Sequence, residues 1–335
     1  RRQRQMCIRD SSNIMELADA LLQGQIDAAI MKTSSIEMID EMGDFTGFAS
    51  DVKLIYSGEF TIKVATTEEN VTDNYLSSDD VINVYISGID SRGGINEVSR
   101  SDVNIIMSIN KKTHNILMIN TPRDYYVPLS ISNGVRDKLT HAGVYGIECS
   151  RNTLEMLYGI QIDYYVKVNF SGFEKIIDSL GGVDVTLDYS ATLSQAGNLT
   201  VHNGVNHFNG EQALAFARER YAYSDGDRQR GRNQMMIMEA AIKKACSPAI
   251  ISNYTSVLSE VSKNVITDMS YDFIADLAQT QLNDMAAWNI TQISVTGVGS
   301  YSSTTYSMPG WSLYIMVPDE ESVENAREQI RDNYN

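Results

Sequence analysis

Residues 162–185 read IDYYVKVNFSGFEKIIDSLGGVDV, from Ile162 to Val185. Tyr164 to Asn169 has the alternation of a strand. Phe173 to Leu180 has helical spacing, Gly181-Gly182 is a turn, and Val183 to Leu187 is a second strand. A strand–helix–turn–strand unit of this length sets the class as α/β.

The same grammar extends outward. Upstream, Val81 to Ile89, Val103 to Ile109 and Asn115 to Asn120 read as strands, the last two joined across Asn110–Thr113, a turn of hairpin length. Asn152 to Tyr158 reads as a helix. Downstream, Asn209-Gly-Glu-Gln212 is a capping box opening a helix, with Asn209 as cap and Gln212 at its third position. A long helix is expected from about Asn233 to Ala245, ending before Pro248. Helices near Thr255–Val265 and Tyr271–Met285, a strand at Ile290–Val295 and a charged helix from Asp319 complete the chain.

The N-terminal part differs. Residues 1–12, RRQRQMCIRDSS, are basic and aperiodic ahead of an acidic chain, and read as an assembly scar or the stub of a removed segment; a basic flank beside a membrane is the alternative. From residue 13 to 80 a small α/β accessory domain is expected. It has helices at Met15–Leu22 and Ser34–Met42, and strands at Asp27–Met31, Val52–Tyr56 and Phe60–Val64. The polar stretch Thr66–Asp80 is its linker, and residues 81–335 form the main domain.

Composition narrows the function. The chain has 335 residues, 43% of them hydrophobic, enough for a sizeable core and about two domains. Its 27 Lys and Arg against 43 Asp and Glu give a net charge of −16, which repels nucleic-acid phosphate. No apolar run reaches membrane-spanning length and no signal peptide is visible. Cys7, Cys149 and Cys246 form no CxxC or CxxH pair, and the four histidines show no HxxxH spacing, so zinc-type ligand sets have no support. No GxxxxGK[ST] loop and no GxSxG elbow is present.

Five clusters of carboxylates and arginines stand where strands and helices end: Gly88-Ile-Asp90-Ser-Arg92, Arg100-Ser-Asp102, Pro122-Arg123-Asp124, Arg218-Glu-Arg220, and Asp227 through Gln234. Carboxylates without histidine or cysteine suit a hard cation such as Mg²⁺, and the arginine fork suits phosphate oxygens. Any single cluster is more often a solvated surface pair. Five of one chemical kind in an acidic chain point instead to a metal-assisted phosphoryl or pyrophosphate site. Residues 218–232 hold five arginines against three carboxylates, a locally basic stretch in this chain. Gly181-Gly182 reads as a turn, His141 as a core or supporting group, and the tyrosines at 125–126 and 164–165 as sheet residues. Met235-Met-Ile-Met238 reads as helix core or as the wall of a lipid tunnel.

In this order the motifs GIDSR, RSD, TPRD, DKLTHA, IDYYVKVNFSGFEKIIDSLGGVDV, NGEQALAFARER and DGDRQRGRNQ closely resemble the LytR–CpsA–Psr family of cell-wall glycopolymer transferases. The motifs cover about residues 80–245. The resemblance implies a mixed central β-sheet flanked by helices, with a hydrophobic tunnel for a polyprenyl chain. It implies a membrane-anchored enzyme at the extracytoplasmic face, with its anchor helix outside this chain. Such an enzyme takes a capsule-type or teichoic-acid glycopolymer from an undecaprenyl-pyrophosphate carrier and joins it to peptidoglycan by a phosphodiester. Carried onto this sequence, Asp90 and Asp102 hold Mg²⁺, or Mn²⁺. Arg92, Arg100, Arg123, Arg218, Arg220, Arg230 and Gln234 grip phosphate oxygens or brace those that do. Asp227 orders the arginine loop or assists the acceptor hydroxyl, and a water on Asp90 is the other candidate base. Ile105, Phe173, Ile177, Met235 and Met238 contribute to the tunnel. Asn120-Thr121, Thr140 and Arg228-Gln229 depart from the family pattern and affect the shape of the pocket. A prenyl pyrophosphatase, or a regulatory protein that only binds polyprenyl phosphate, are the alternative functions.

Overall fold

Strand β1 (Val81–Ile89) is buried along nearly its whole length, because it is covered on both faces. A computed structural model describes the chain over residues 14–31, 33–40, 45–57, 75–89, 95, 99–193, 198–223, 226–250 and 253–335. The remaining strands are β2 (Ser101–Asn110), β3 (Asn115–Asn120), β4 (Tyr126–Pro128), β5 (Arg136–Lys138), β6 (Tyr164–Asn169) and β7 (Val183–Leu187). They continue with β8 (Ala191–Leu193), β9 (Leu199–Val201), β10 (Gly204–Phe208), β11 (Val265–Thr267), β12 (Asn289–Ser294), β13 (Gly297–Ser302) and β14 (Leu313–Pro318). The helices are α1 (Ile14–Leu22), α2 (Thr33–Asp40), α3 (Phe48–Asp51), α4 (Leu139–Ala142), α5 (Ile147–Tyr158) and α6 (Phe170–Ser179). After them come α7 (Gly210–Arg218), α8 (Asp227–Ala245), α9 (Tyr254–Asn264), α10 (Tyr271–Asp284) and α11 (Glu320–Asn333).

The central sheet has the order β11-β6-β1-β2-β3-β12. β1 runs parallel to β6 and antiparallel to β2, and β12 runs parallel to β3, so the sheet is mixed. Alternating residues feed two cores. Tyr85, Ile106 and Ile119 face Leu154 and Tyr158 of α5 and Val323 and Ile330 of α11. Val84, Ile86, Ile105 and Met118 face Met235 of α8, with Met238 and Phe273 packed alongside. Truncating a residue such as Ile106 to Ala is expected to cost about 2–5 kcal/mol. On β1, Tyr85 Oη donates to Asn104 Oδ1 at 2.8 Å and Asn83 Nδ2 donates to the Gln161 carbonyl at 2.7 Å, while Asn83 Oδ1 is buried without a hydrogen bond among the described residues.

The deciding stretch folds as its pattern predicts. β6 leads into α6, and Gly181 and Gly182 turn the chain with φ of 74° and 80°. α6 begins at Phe170, ahead of the expected Phe173, because Asn169 caps it by accepting the Gly172 N–H at 2.8 Å. The Asn209/Gln212 capping box at the head of α7 is present. α8 begins at Asp227, well before the expected Asn233. The arginines expected in a loop therefore stand on a helix, whose Arg, Gln and Met residues are good helix formers.

Ahead of β1, residues of α1, α2 and α3 share one apolar cluster with Val144, Met308 and Leu313 of the main body. Among the described residues, the stretches 27–31 and 52–56, expected as strands, join no ladder. Ile30, Leu54, Ile55 and Tyr56 are exposed there, and an apolar alternation becomes a strand only where another strand pairs with it. The expected strand Phe60–Val64 lies outside the described residues.

Candidate active site

β1, β3, β6 and β12 point the same way, opposite to β2. Their carboxyl ends and the amino end of β2 therefore meet at one end of the sheet, where open α/β sheets bind ligands. Four of the five charged clusters leave or enter the sheet at this end or face it from α8. β1 reaches this end with a register shift between Gly88 and Ile89. A Cβ on Gly88 would stand 2.8 Å from the Val103 side chain, so the two strands approach this closely only at a glycine. Asp90 and Arg92, which follow, lie outside the described residues.

Arg123, just past β3, sits between two carboxylates. Its Nη1 donates to Asp102 Oδ1 at 3.0 Å, and its Nε lies 3.5 Å from Asp124 Oδ2. Lys138, the last residue of β5, and Thr140 of α4 hold the same two acids, Thr140 sharing the Asp102 oxygen that Arg123 uses. Lys138 Nζ bonds Asp124 Oδ1 at 2.9 Å, and Thr140 Oγ1 donates to Asp102 Oδ1 at 3.3 Å. These groups are mostly buried, so their geometry is fixed by packing as well as by charge.

α8 faces them. It places Arg228, Arg230 and Arg232 in its first two turns, where the helix dipole is already positive. Cations there are unfavourable unless an anion is bound, which makes this end of α8 suited to phosphate. Arg228 Nη2 donates to the Gly297 carbonyl at 3.1 Å, and Arg232 Nε to Gln229 Oε1 at 2.8 Å. Asn233, fully buried, anchors α8 to α7 by donating to the Phe216 carbonyl at 3.0 Å. Arg230 is buried. A Cβ on Gly231 would stand 2.4 Å from Asn120 Nδ2, so a glycine lets the helix lie directly on the end of β3.

Between these parts opens a cleft of about 310 Å³. Asp102, Arg123, Arg230, Gln234 and Met235, all expected in the site, line it together. Arg228, Arg232 and Asn120 line it as well. Arg228 and Arg232 belong to the fifth charged cluster, but the resemblance assigns neither of them a phosphate contact. The spacing of four residues between them was the signal that both share a helix face.

Among the described residues, the other expected ones do not line this cleft. Arg100 immediately precedes β2. Arg218 lies over the Phe170 ring, its guanidinium carbon 4.3 Å from the centroid. Arg220 follows Glu219, whose fully buried carboxylate accepts the N–H groups of Arg220, Tyr221 and Ala222 at 2.7–3.2 Å. Glu219 thus builds the turn that carries the Arg218–Arg220 pair, a role that sequence reasoning missed. Asp227 opens α8, and its side chain lies outside the described set. The expected tunnel residues fall in two cores. Ile105, Met235 and Met238 lie under the sheet face, while Phe173 and Ile177 pack beyond α8 with α6, β7 and α7.

The available donors at this end are oxygens. Among the described residues no three His, Cys, Asp or Glu side chains gather into a metal cage. One carboxylate on the cleft wall is nonetheless the kind of ligand set that Mg²⁺ uses when a substrate phosphate supplies other oxygens.

Residues 52–327 match the LytR_cpsA_psr family. The chain belongs to the LytR–CpsA–Psr family. Among its relatives is the polyisoprenyl-teichoic acid–peptidoglycan teichoic acid transferase TagU of Bacillus cereus, 34% identical over 197 residues, 57% of this chain and 62% of that protein. The chain thus matches less than two thirds of that relative's length. The TagU of Halalkalibacterium halodurans is 33% identical over 247 residues, 73% of this chain and 77% of that protein. Among solved structures, B. subtilis TagV superposes with a TM-score of 0.64 at 27% identity, covering 77% of this chain and 98% of its own. TagT bound to LIIa-WTA superposes with a TM-score of 0.63 at 26% identity, covering 82% of this chain and 99% of its own. Family membership and these neighbours agree with the mixed sheet and flanking helices that the sequence motifs imply.

Proposed function

We propose that this chain is a phosphotransferase that moves a glycopolymer of the teichoic-acid kind from a polyprenyl-pyrophosphate carrier onto peptidoglycan. The observation that carries the reading is the cleft itself. The Asp102–Arg123 pair stands on one side and the arginine-bearing end of α8 on the other. Met235 belongs both to the cleft wall and to the apolar sheet face beneath α8. A pyrophosphate in the cleft would thus have cations around its oxygens and a hydrophobic surface for its prenyl chain. The names of the TagU relatives support the same chemistry.

On this reading the acceptor hydroxyl oxygen attacks the phosphorus next to the glycan. A new O–P bond forms as the hydroxyl gives up its proton to Asp227 or to a water on Asp90, the bridging P–O bond breaks, and prenyl phosphate leaves with the electron pair. Arg123, Arg228, Arg230 and Arg232 neutralise charge that develops on the phosphoryl oxygens. Mg²⁺, held by Asp102 together with Asp90, would supply further neutralisation of the pyrophosphate. The same reading puts the enzyme at the extracytoplasmic face of the membrane, carried there by a membrane anchor.

The test is transfer from a prenyl-pyrophosphate-linked glycan to a soluble peptidoglycan oligomer. The phosphodiester product should form with Mg²⁺ and fall to background in Asp102→Ala. Product formed at equal rate in that variant would remove the cleft from the chemistry.

A further inference from the structure

Between Asp284 and Asp319 no residue carries a charge, in a chain whose net charge is −16. This stretch leaves the cleft through Thr296 and forms the β13–β14 ribbon, with Tyr301 paired opposite Tyr314. Both rings are exposed on the ribbon, Tyr301 by 71% and Tyr314, which lies across Gly299, by 42%, with centroids 5.8 Å apart at nearly right angles. Hydroxyls cluster beside them: Tyr126 Oη lies 3.2 Å from Ser302 Oγ and 3.1 Å from Thr304 Oγ1. Exposed aromatic faces among neutral hydroxyls bind partners that offer apolar ring faces and hydroxyls but no charge.

From the structure we infer that the β13–β14 tyrosines form a docking strip for the uncharged amino-sugar backbone of the glycan acceptor, an inference that rests on the transferase reading of the cleft. Position selects the acceptor over the donor. The cleft straddles the end of the sheet. Met235 on its wall belongs to the apolar core under α8, where a prenyl chain would lie, whereas Met316 on its wall belongs to the opposite core. β14 carries Met316, so the ribbon emerges on the side away from the prenyl face. Gly297, at the start of β13, accepts from Arg228 of the cleft, and Tyr301 is four residues further, about 13 Å along a strand. A sugar chain stacked on the strip would therefore run into the phosphate site from the solvent side. A teichoic-acid chain, being polyanionic, gains nothing from a strip without cations.

The test titrates the full chain with chitotetraose, an uncharged N-acetylated oligosaccharide, and separately with geranyl pyrophosphate. Wild type should bind both. Tyr301→Ala and Tyr314→Ala should each weaken chitotetraose binding by about tenfold while leaving geranyl pyrophosphate binding unchanged, which also shows that the variants fold. Arg123→Ala should do the reverse. No binding of chitotetraose to wild type, or equal binding in the tyrosine variants, would overturn the strip. So would a tyrosine-dependent loss confined to an oligo(glycerol phosphate) probe. Geranyl pyrophosphate binding that ignores Arg123→Ala would overturn the cleft reading separately.

Discussion

Arg123 Nη1 and Asp102 Oδ1 stand 3.0 Å apart across the hairpin strands β2 and β3, and the pair forms one wall of the cleft. Neither residue is far from the other's strand end, so their pairing is a direct consequence of the β2–β3 register. The arrangement ties the arginine proposed to grip phosphate to the carboxylate proposed to hold the metal, and each change at one should be felt at the other.

Replacing Arg123 with Lys keeps the charge but loses the fork that reaches Asp102 and Asp124 together. Turnover is expected to drop by roughly 10–100-fold, matching about 1.5–3 kcal/mol for a charged hydrogen bond. Steady-state kinetics on a prenyl pyrophosphate measures this. An Arg123→Lys enzyme with full activity would mean that the guanidinium geometry is irrelevant.

Thr140 is buried and donates to Asp102 at 3.3 Å, so it acts as a positioning residue. Thr140→Val keeps its shape and removes the donor. The expected result is about a tenfold loss in kcat with KM nearly unchanged, and a melting temperature close to wild type. A large fall in melting temperature with unchanged kcat would assign Thr140 to packing alone.

Gly231→Ala places a methyl where Asn120 Nδ2 stands, 2.4 Å from the ideal Cβ. α8 must then shift off β3, at a cost of about 1–3 kcal/mol. Because Arg230 and Arg232 ride on the same turn, affinity for geranyl pyrophosphate should fall together with stability. Denaturant titration and ligand titration of the one variant would show the two losses; stability lost with affinity intact would contradict the coupling.

How much of this was legible in the sequence follows from how far each feature depends on its neighbours along the chain. β1, β3, the Gly181-Gly182 turn and the Asn209 capping box are local patterns, and they are where the sequence puts them. The start of α8 was misplaced because Asp227 to Arg232 has no apolar periodicity; helix propensity and the contact of Gly231 with Asn120 extend the helix there instead. β13 and β14 were missed because a strand such as GVGSYS exists only through its pairing partner. In the site, Asp102, Arg123 and Arg230 were legible as charges at element ends. Lys138 and Glu219 were not, since their work is to hold Asp124 and three backbone N–H groups, contacts made only by folding.

The DKLTHA segment also carries a pH dependence. Asp137 is fully buried, which by itself raises its carboxyl. His141 Nδ1 at 2.8 Å and the Ser307 N–H at 2.7 Å outweigh this and hold it below the ordinary carboxylate value. A carboxylate lowered in the folded state contributes stability above its unfolded value of about 3.9, and that contribution is lost as pH falls through the folded value. Asp137→Asn should therefore lower stability near pH 7 by about 3 kcal/mol and flatten the loss of stability below about pH 4. Thermal melts from neutral to acid pH follow both effects. An unchanged acid limb would mean that another carboxylate governs it.

The most direct measurement is release of phosphate from geranyl pyrophosphate, with and without Mg²⁺, by wild type, Asp102→Ala and Arg123→Ala. The cleft account predicts turnover that needs Mg²⁺ and is lost in both variants. Turnover that persists in either variant would contradict it, because the pair that forms the wall of the cleft would then have no part in the reaction.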